Sequence, residues 1–185
     1  YRMRAVIFLI NYDRYPKKEF MTNAIQKNLE RGIKLLSNIS DEEYANQTIP
    51  PYFSSIGCHM RHILDVFSCV LDGFSKNSID LTIRERNETV EIKTEKGIEY
   101  FKSIIYQIKS ISKEDLAQEV SVIDDLGLGK EKATYTLGSI LMQAQSHAIH
   151  HYASVGYIIY QLGIELPDND FGYNPTTPNK KLKAS

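Results

Sequence analysis

Four separate segments of this chain repeat apolar residues at the spacing of an α-helix, and this repetition restricts the fold more than any other feature. The segments begin at Met21, at Ser54 or Ser55, at Glu95 and at Thr136. The last three continue to about Phe74, Ile111 and Gly163. Amphipathic helices bury their apolar faces most simply against one another. The pattern therefore predicts an all-α fold, a four-helix bundle with a long crossover between the second and third helices.

The segments between these helices contain turn-forming residues. Residues 41–53 include the pair Pro50-Pro51, which interrupts any helix, so we predict a linker there. Residues 79–92 partly alternate apolar and polar side chains, which favours a short hairpin or an extended loop. Residues 120–135 place two glycines between β-prone arms and predict a small β-hairpin before the fourth helix.

The length of 185 residues favours a single domain. Residues 1–20 do not continue the helical pattern, and we interpret them as an N-terminal extension or a segment added for expression, with a weak strand near residues 5–10. Residues 21–167 hold the predicted bundle. Residues 168–185 are rich in Asn, Pro and Lys and are predicted to be a C-terminal tail.

Charge and cysteine content exclude several classes of function. The 22 basic and 23 acidic residues give a net charge of −1, so we expect no nucleic-acid partner. The apolar run near the start is far shorter than the ~20 residues of a membrane span, and we expect neither a signal peptide nor a membrane partner. Cys58 and Cys69 fall in one predicted helix, about 16 Å apart, beyond disulfide reach. Reduced thiols indicate a cytoplasmic protein.

The five histidines lie in only two of the predicted helices. They are His59 and His62 in the second helix and His147, His150 and His151 in the fourth. His147 and His151 lie on the apolar stripe of their helix, one turn apart, whereas His150 lies to its side. Such a pair suits ligation of one metal ion, and the alternative is a structural polar network.

The periodicity of the second helix leaves the third ligand open. The helical wheel places His59 nearer the centre of the apolar stripe and His62 at its edge. Periodicity alone therefore favours His59.

Two motifs resemble the DinB-like family of proteins. Residues 55–62 begin Ser-Ile-Gly and place a histidine seven positions after the serine, and residues 147–151 contain a His-x3-His pair. The resemblance covers about residues 21–167. It implies a DinB-like four-helix bundle, a divalent metal such as zinc or nickel, and frequent homodimers. It also implies that His62 is the third ligand.

By the same resemblance, the predicted metal ligands are His62, His147 and His151, and the neighbouring residues that do not bind the metal are His59 and His150. Cys58 precedes His62 by one turn and is either a fourth ligand or, more commonly for such a residue, a small buried thiol. Asp65 is the candidate catalytic or orienting carboxylate, with a helix-surface position as the alternative.

The chain lacks the motifs of several other enzyme classes. The first histidine of residues 147–151 is followed by no glutamate, which excludes the general base of an H-E-x-x-H metalloprotease. Hydrolase elbow, phosphate-loop and C-x-x-C motifs are also missing from the sequence.

The resemblance and the open coordination positions left by three ligands predict a thiol-dependent S-transferase or a hydrolase. Its expected partner is a low-molecular-weight thiol or another small substrate. The alternative is a non-catalytic metal-binding or stress-associated protein with a structural metal site. For a homodimer, the candidate contacts are Tyr152 and Tyr160, which lie off the inward stripe.

Overall fold

Helices dominate the part of the chain that the structure describes, residues 21–83 and 86–177 of a computed structural model. The helices are α1 (Met21–Leu36), α2 (Asp41–Tyr44), α3 (Ile56–Phe74), α4 (Glu88–Ile92), α5 (Thr94–Lys109), α6 (Lys113–Ala117) and α7 (Leu137–Gln161). The strands are β1 (Ser78–Asp80), β2 (Glu119–Asp125) and β3 (Lys130–Thr136). The fold is therefore mostly helical with one small sheet, and the four long helices match the four periodic segments of the sequence.

The ends of the long helices follow local sequence signals. Ser55 precedes α3, and its Oγ accepts a hydrogen bond from the Cys58 N–H at 3.0 Å. Thr136 precedes α7 and forms a capping box with Ser139. Gly163 follows α7 with a φ of 72°, the left-handed conformation that favours glycine after a helix. Ser55 and Thr136 thus lie where the sequence predicted that these two helices begin.

The four long helices contact one another around a continuous apolar core. α3 packs against α7 and α5, and α1 packs against α5 and α7. Buried side chains such as Leu29, Met60, Phe101 and Tyr152 come from all four helices. The contact of α3 with α7 matters most for function, because these two helices carry all five histidines.

The sheet contains one strand more than the predicted hairpin. β2 and β3 pair antiparallel as expected, and Asp125 accepts hydrogen bonds from the N–H groups of Gly127 and Gly129 in the turn. β1 adds to the other edge of β2 in parallel, with Ile79 beside Val122. Ile79 and Val122 are both buried, and they attach the sheet to the core.

The prediction of a hairpin or extended loop over residues 79–92 is wrong. This segment continues β1 and then forms the helix α4, whose first N–H groups are capped by Asn87. The Asn87 Oδ1 accepts a hydrogen bond from the Thr89 N–H at 3.1 Å. A helix of about one turn contains too few residues to distinguish the 3.6-residue period of a helix from the two-residue period of a strand.

The segment after α7 folds back onto the long helices. Phe171 is 4% exposed, and its ring stacks on Tyr152 with a centroid distance of 4.7 Å. The Arg31 Nε donates to Asp168 Oδ2 at 3.0 Å, which links this segment to α1. Tyr152 is thus a core residue, which corrects its prediction as a dimer contact, whereas Tyr160 is 84% exposed.

The predicted N-terminal extension, residues 1–20, and the lysine-rich end of the predicted tail fall outside the described residues. Within the described ranges, no helix has the length and apolar character needed to cross a bilayer.

Candidate metal centre

Three histidines from two helices meet between α3 and α7. His147 Nε2 lies 2.9 Å from His62 Nε2 and 3.0 Å from His151 Nε2. One ring nitrogen of each histidine lies within 4.8 Å of the others, and the three side chains are half-buried. The single turn between His147 and His151 brings their rings together, and the packing of α3 on α7 adds His62.

Hydrogen bonds between the rings do not account for both close contacts of His147 Nε2. A ring nitrogen carries either one proton or one in-plane lone pair, so His147 Nε2 forms one well-directed hydrogen bond but faces two nitrogens. Nitrogens bound to one tetrahedral Zn²⁺ at about 2.0–2.1 Å lie roughly 3.3 Å apart, a few tenths of an ångström more than the two distances at His147 Nε2. The three imidazoles therefore fit a single divalent cation.

The protonation state of His151 suits the same role. Burial, together with smaller contributions from repulsion by the other histidines, lowers the pKa of His151 to about 3. Burial also lowers the pKa of His59. Both rings are therefore neutral at pH 7, and the neutral imidazole is the form that binds a metal.

His59 lies beside the three-histidine cluster. His59 Nδ1 is 2.8 Å from His151 Nδ1, and His59 Nε2 is 2.9 Å from Ser54 Oγ. The helical wheel favoured His59 as the third member, but the structure brings His62 into the cluster. A helical wheel shows which side chains of α3 point toward the centre of the core. The histidine cluster lies instead at the contact between α3 and α7, which the wheel of one helix does not describe.

His150 and Cys58 stay outside the group of close ligand atoms. His150 is exposed, and its ring centroid lies 5.4 Å from that of His151. Cys58 is a half-buried free thiol. Its Sγ is not among the ligand atoms that converge in the cluster.

Comparison with known proteins identifies the family. The sequence model of the DinB family matches residues 16–181. The chain belongs to the DinB family.

The fold of this DinB-family protein is similar to that of a DinB-like protein, YjoA, from Bacillus subtilis. The two structures share a TM-score of 0.57 and 18% sequence identity, over 80% of this chain and 94% of that chain. At this identity the likeness shows the fold alone. No curated protein matches the chain.

The Ser-Ile-Gly motif of this DinB-family chain sets the start of α3. Ser55 caps the helix and Ile56 is fully buried. A Cβ on Gly57 would collide with the backbone carbonyl of Glu91 in α4, so only glycine lets the two helices approach this closely. His62 follows two turns after the cap, at the point where α3 meets α7.

Asp65 belongs to a second polar cluster on α3 and is buried, which excludes the alternative of a helix-surface carboxylate. It is 5% exposed and forms an ion pair with Arg61, whose guanidinium also pairs with Glu91 of α4. Tyr100 Oη donates to Asp65 Oδ1 at 3.4 Å. Sequence reasoning missed Arg61 and Glu91, and the available signal was the i, i+4 spacing of Arg61 and Asp65.

A cavity of about 790 Å³ lies on this side of α3. Its lining includes Asp65, Cys69 and Tyr100 and none of the three clustered histidines. Burial raises the pKa of Tyr100 to about 12, so its hydroxyl stays protonated at neutral pH. The carboxylate of Asp65 thus faces a cavity that the three clustered histidines do not line.

Proposed function

We propose that this DinB-family protein is a metal-dependent enzyme that activates a low-molecular-weight thiol for transfer to an electrophile. The observation that carries the proposal is the convergence of three ring nitrogens, from His62, His147 and His151, at a half-buried position. Three protein ligands leave coordination positions open, which is typical of catalytic zinc sites, whereas structural sites are closed by four. Zinc and nickel both suit imidazole ligands, and either ion is compatible with this proposal.

The chain itself contributes the binding and orientation of the reacting groups. A divalent ion held by three imidazoles would lower the pKa of a thiol or a water molecule that binds it. His62, His147 and His151 lie on two long packed helices and would hold the ion there, which would restrict the orientation of a thiol bound to it. A hydrolase would use the same residues with water as the nucleophile.

A thiol from solution is favoured because the chain's own thiols are poorly placed. Cys69 Sγ donates to the backbone oxygen of Asp80 at 3.1 Å. Cys69 also lines the cavity beside Asp65, away from the histidines. Cys58 Sγ is not part of the ligand group. In the proposed transfer to a chlorinated aromatic, a carbon–sulfur bond forms and the carbon–chlorine bond breaks. Chloride leaves with the bonding pair, and the thiol proton passes to buffer.

The test compares metal-loaded and metal-free protein in conjugation of glutathione, bacillithiol or cysteine to a chlorinated dinitroaromatic. We expect acceleration by the metal-loaded protein, loss of acceleration in His151→Ala, and retention in His150→Ala, which changes a histidine outside the cluster. Elemental analysis of each sample gives the bound metal.

Equal rates for loaded and metal-free protein with all three thiols would reject the transferase. If the protein then still bound about one ion per chain, the non-catalytic metal-binding function would stand in its place.

A further inference from the structure

We propose that Ser54 and His59 position His151 for metal binding, because His59 accepts the Nδ1 proton of His151 and leaves its Nε2 lone pair for the metal. The inference rests on the proposed metal site and adds two residues that bind no metal. Its basis is a continuous line of contacts from Ser54 Oγ through both nitrogens of His59 to His151 Nδ1, at 2.9 and 2.8 Å.

The direction of the hydrogen bonds follows from the requirement at the metal. His151 Nε2 faces the cluster and must offer a lone pair to a cation, so the proton of the neutral ring lies on Nδ1. That N–H then donates to His59 Nδ1, which must be unprotonated. The proton of His59 therefore lies on Nε2 and donates to Ser54 Oγ. Every proton position in the line is thereby fixed.

The opposite direction is also self-consistent but excludes the metal. If the Ser54 hydroxyl donated to His59 Nε2, then His59 Nδ1 would donate to His151 Nδ1. The proton of His151 would then lie on Nε2, where it blocks ligation. The two directions differ only in proton placement, and a cation at the cluster would favour the direction in which His151 Nδ1 donates to His59 Nδ1.

Ser54 and His59 both occupy defined, half-buried positions near His151. Ser54 is half-buried and immediately precedes the Ser55 cap, so the start of α3 fixes its place. His59 is half-buried, and its ring lies 5.1 Å from that of His151 at an interplanar angle of 57°. His150 also contacts the His151 ring, at 5.4 Å, but it is exposed and provides a matched control.

The test separates hydrogen bonding from simple packing with two replacements of His59. Gln keeps an acceptor within reach of the His151 N–H, whereas Phe keeps the ring volume without any acceptor. We expect His59→Phe to bind Zn²⁺ about 10–100-fold more weakly than the wild type in chelator competition, as is typical when the hydrogen-bond partner of a ligand is lost. His59→Gln recovers most of this loss, Ser54→Ala loses less than His59→Phe, and His150→Gln binds like the wild type.

Long-range ¹H–¹⁵N spectra of the zinc-loaded full chain report the proton positions directly. We expect the Nδ1–H form of His151 and the Nε2–H form of His59. Circular dichroism and urea unfolding of each variant exclude loss of fold as the cause of weak binding.

The outcomes distinguish this inference from the metal site itself. A wild-type protein that binds no Zn²⁺ overturns both. Wild-type binding together with equal affinity of His59→Phe, or equal losses for His59→Phe and His59→Gln, overturns the positioning role alone. Nδ1–H on His59 in the loaded protein does the same.

Discussion

Helix α3 contributes to two polar clusters, the histidine cluster and the Arg61 cluster with Asp65 and Glu91, and the two differ in how their polar groups are paired. Toward α7, three like side chains bring ring nitrogens together, and the geometry suits a cation from outside the chain. Toward α4, the chain supplies its own cation, because Arg61 lies between the carboxylates of Asp65 and Glu91. The three histidines are half-buried, whereas Arg61 and Asp65 of the second cluster are buried and Glu91 is half-buried.

The difference separates a binding site from a structural contact. In the Arg61 cluster each charge already has an opposite partner, so a ligand would have to break an ion pair. In the histidine cluster three ring nitrogens face one another, and one cation could bind all of them at once. We therefore expect loss of ligand binding from changes in the first cluster and loss of folding stability from changes in the second.

The largest expected effect is the loss of metal from His147→Ala. His147 Nε2 is the nitrogen that contacts both other members, so its removal takes away the centre of the donor set. We expect about one Zn²⁺ per wild-type chain and no stoichiometric Zn²⁺ in the variant. At a free concentration of 100 times the Kd, Zn²⁺ should raise the free energy of unfolding of the wild type by about 2.7 kcal/mol and leave the variant unchanged.

His150→Ala, a change outside the cluster, is the control for this prediction. Retention of one Zn²⁺ per chain by His147→Ala would contradict the three-histidine site and remove the contrast between the two clusters.

The next effect is a loss of stability from Arg61→Met. Removing the cation leaves the buried carboxylate of Asp65 without its strongest partner, and breaking such a buried pair costs about 3–5 kcal/mol in the free energy of unfolding. Urea unfolding measures the loss. Zinc stoichiometry of the folded variant should stay at the wild-type value.

The double variant Arg61→Met with Asp65→Leu is the matched control, because it removes the buried charge together with its partner. It should lose less stability than Arg61→Met alone. A double variant that is less stable than the single variant would show that the ion pair is not the main source of the effect.

A smaller effect is expected from Gly57→Ala. The added Cβ would meet the Glu91 carbonyl and push α4 away from α3, and overpacking of this kind costs about 1–3 kcal/mol. Gly156→Ala in α7 is the control, since a Cβ there meets nothing within 4 Å and alanine favours a helix. Urea unfolding should show Gly57→Ala destabilised and Gly156→Ala equal to or above the wild type. Equal stability of both variants would mean that α4 is not held by this close contact.

The expected effect that is smallest at neutral pH, and that grows as the pH falls, is the titration of His151 in the metal-free protein. The pKa of His151 is about 3 in the folded protein against 6.5 for a free imidazole, so between these values the unfolded chain binds more protons. Above about pH 6.5 the titration of His151 does not reduce the free energy of unfolding. As the pH falls toward about 3, the free energy of unfolding decreases.

Urea midpoints recorded down this range should therefore decrease more steeply for the wild type than for His151→Asn. Arg61 stays protonated throughout, so its guanidinium contributes no titration of its own. Parallel slopes in the two proteins would show that His151 does not carry this dependence.

The sequence predicted the parts of the fold that depend on local signals. The four long helices, the Ser55 and Thr136 caps and the turn around Gly127 each depend on residues within a few positions. The parallel pairing of β1 with β2 joins residues about forty positions apart, and no local pattern specifies it. The one-turn helix α4 was too short for its period to be recognised.

The same distinction applies to the polar clusters. The pair His147 and His151 was visible because both residues lie on one helix, one turn apart. The third member needed the family motif, because the wheel of α3 alone pointed to His59. The pairing of Arg61 with Glu91 spans thirty positions between two helices and only the folded chain reveals it.

The fold-back after α7 bears on where this protein can be cut or fused. Phe171 covers Tyr152, one residue after His151, and Gly172 lies against the backbone of Ala153 so closely that a Cβ there would collide. A fragment ended at Pro167, the boundary that the sequence suggested, would uncover an aromatic core residue next to the histidine pair. Tags and fusion partners therefore belong after residue 177, and a shortened chain that fails to bind metal would not by itself argue against the histidines.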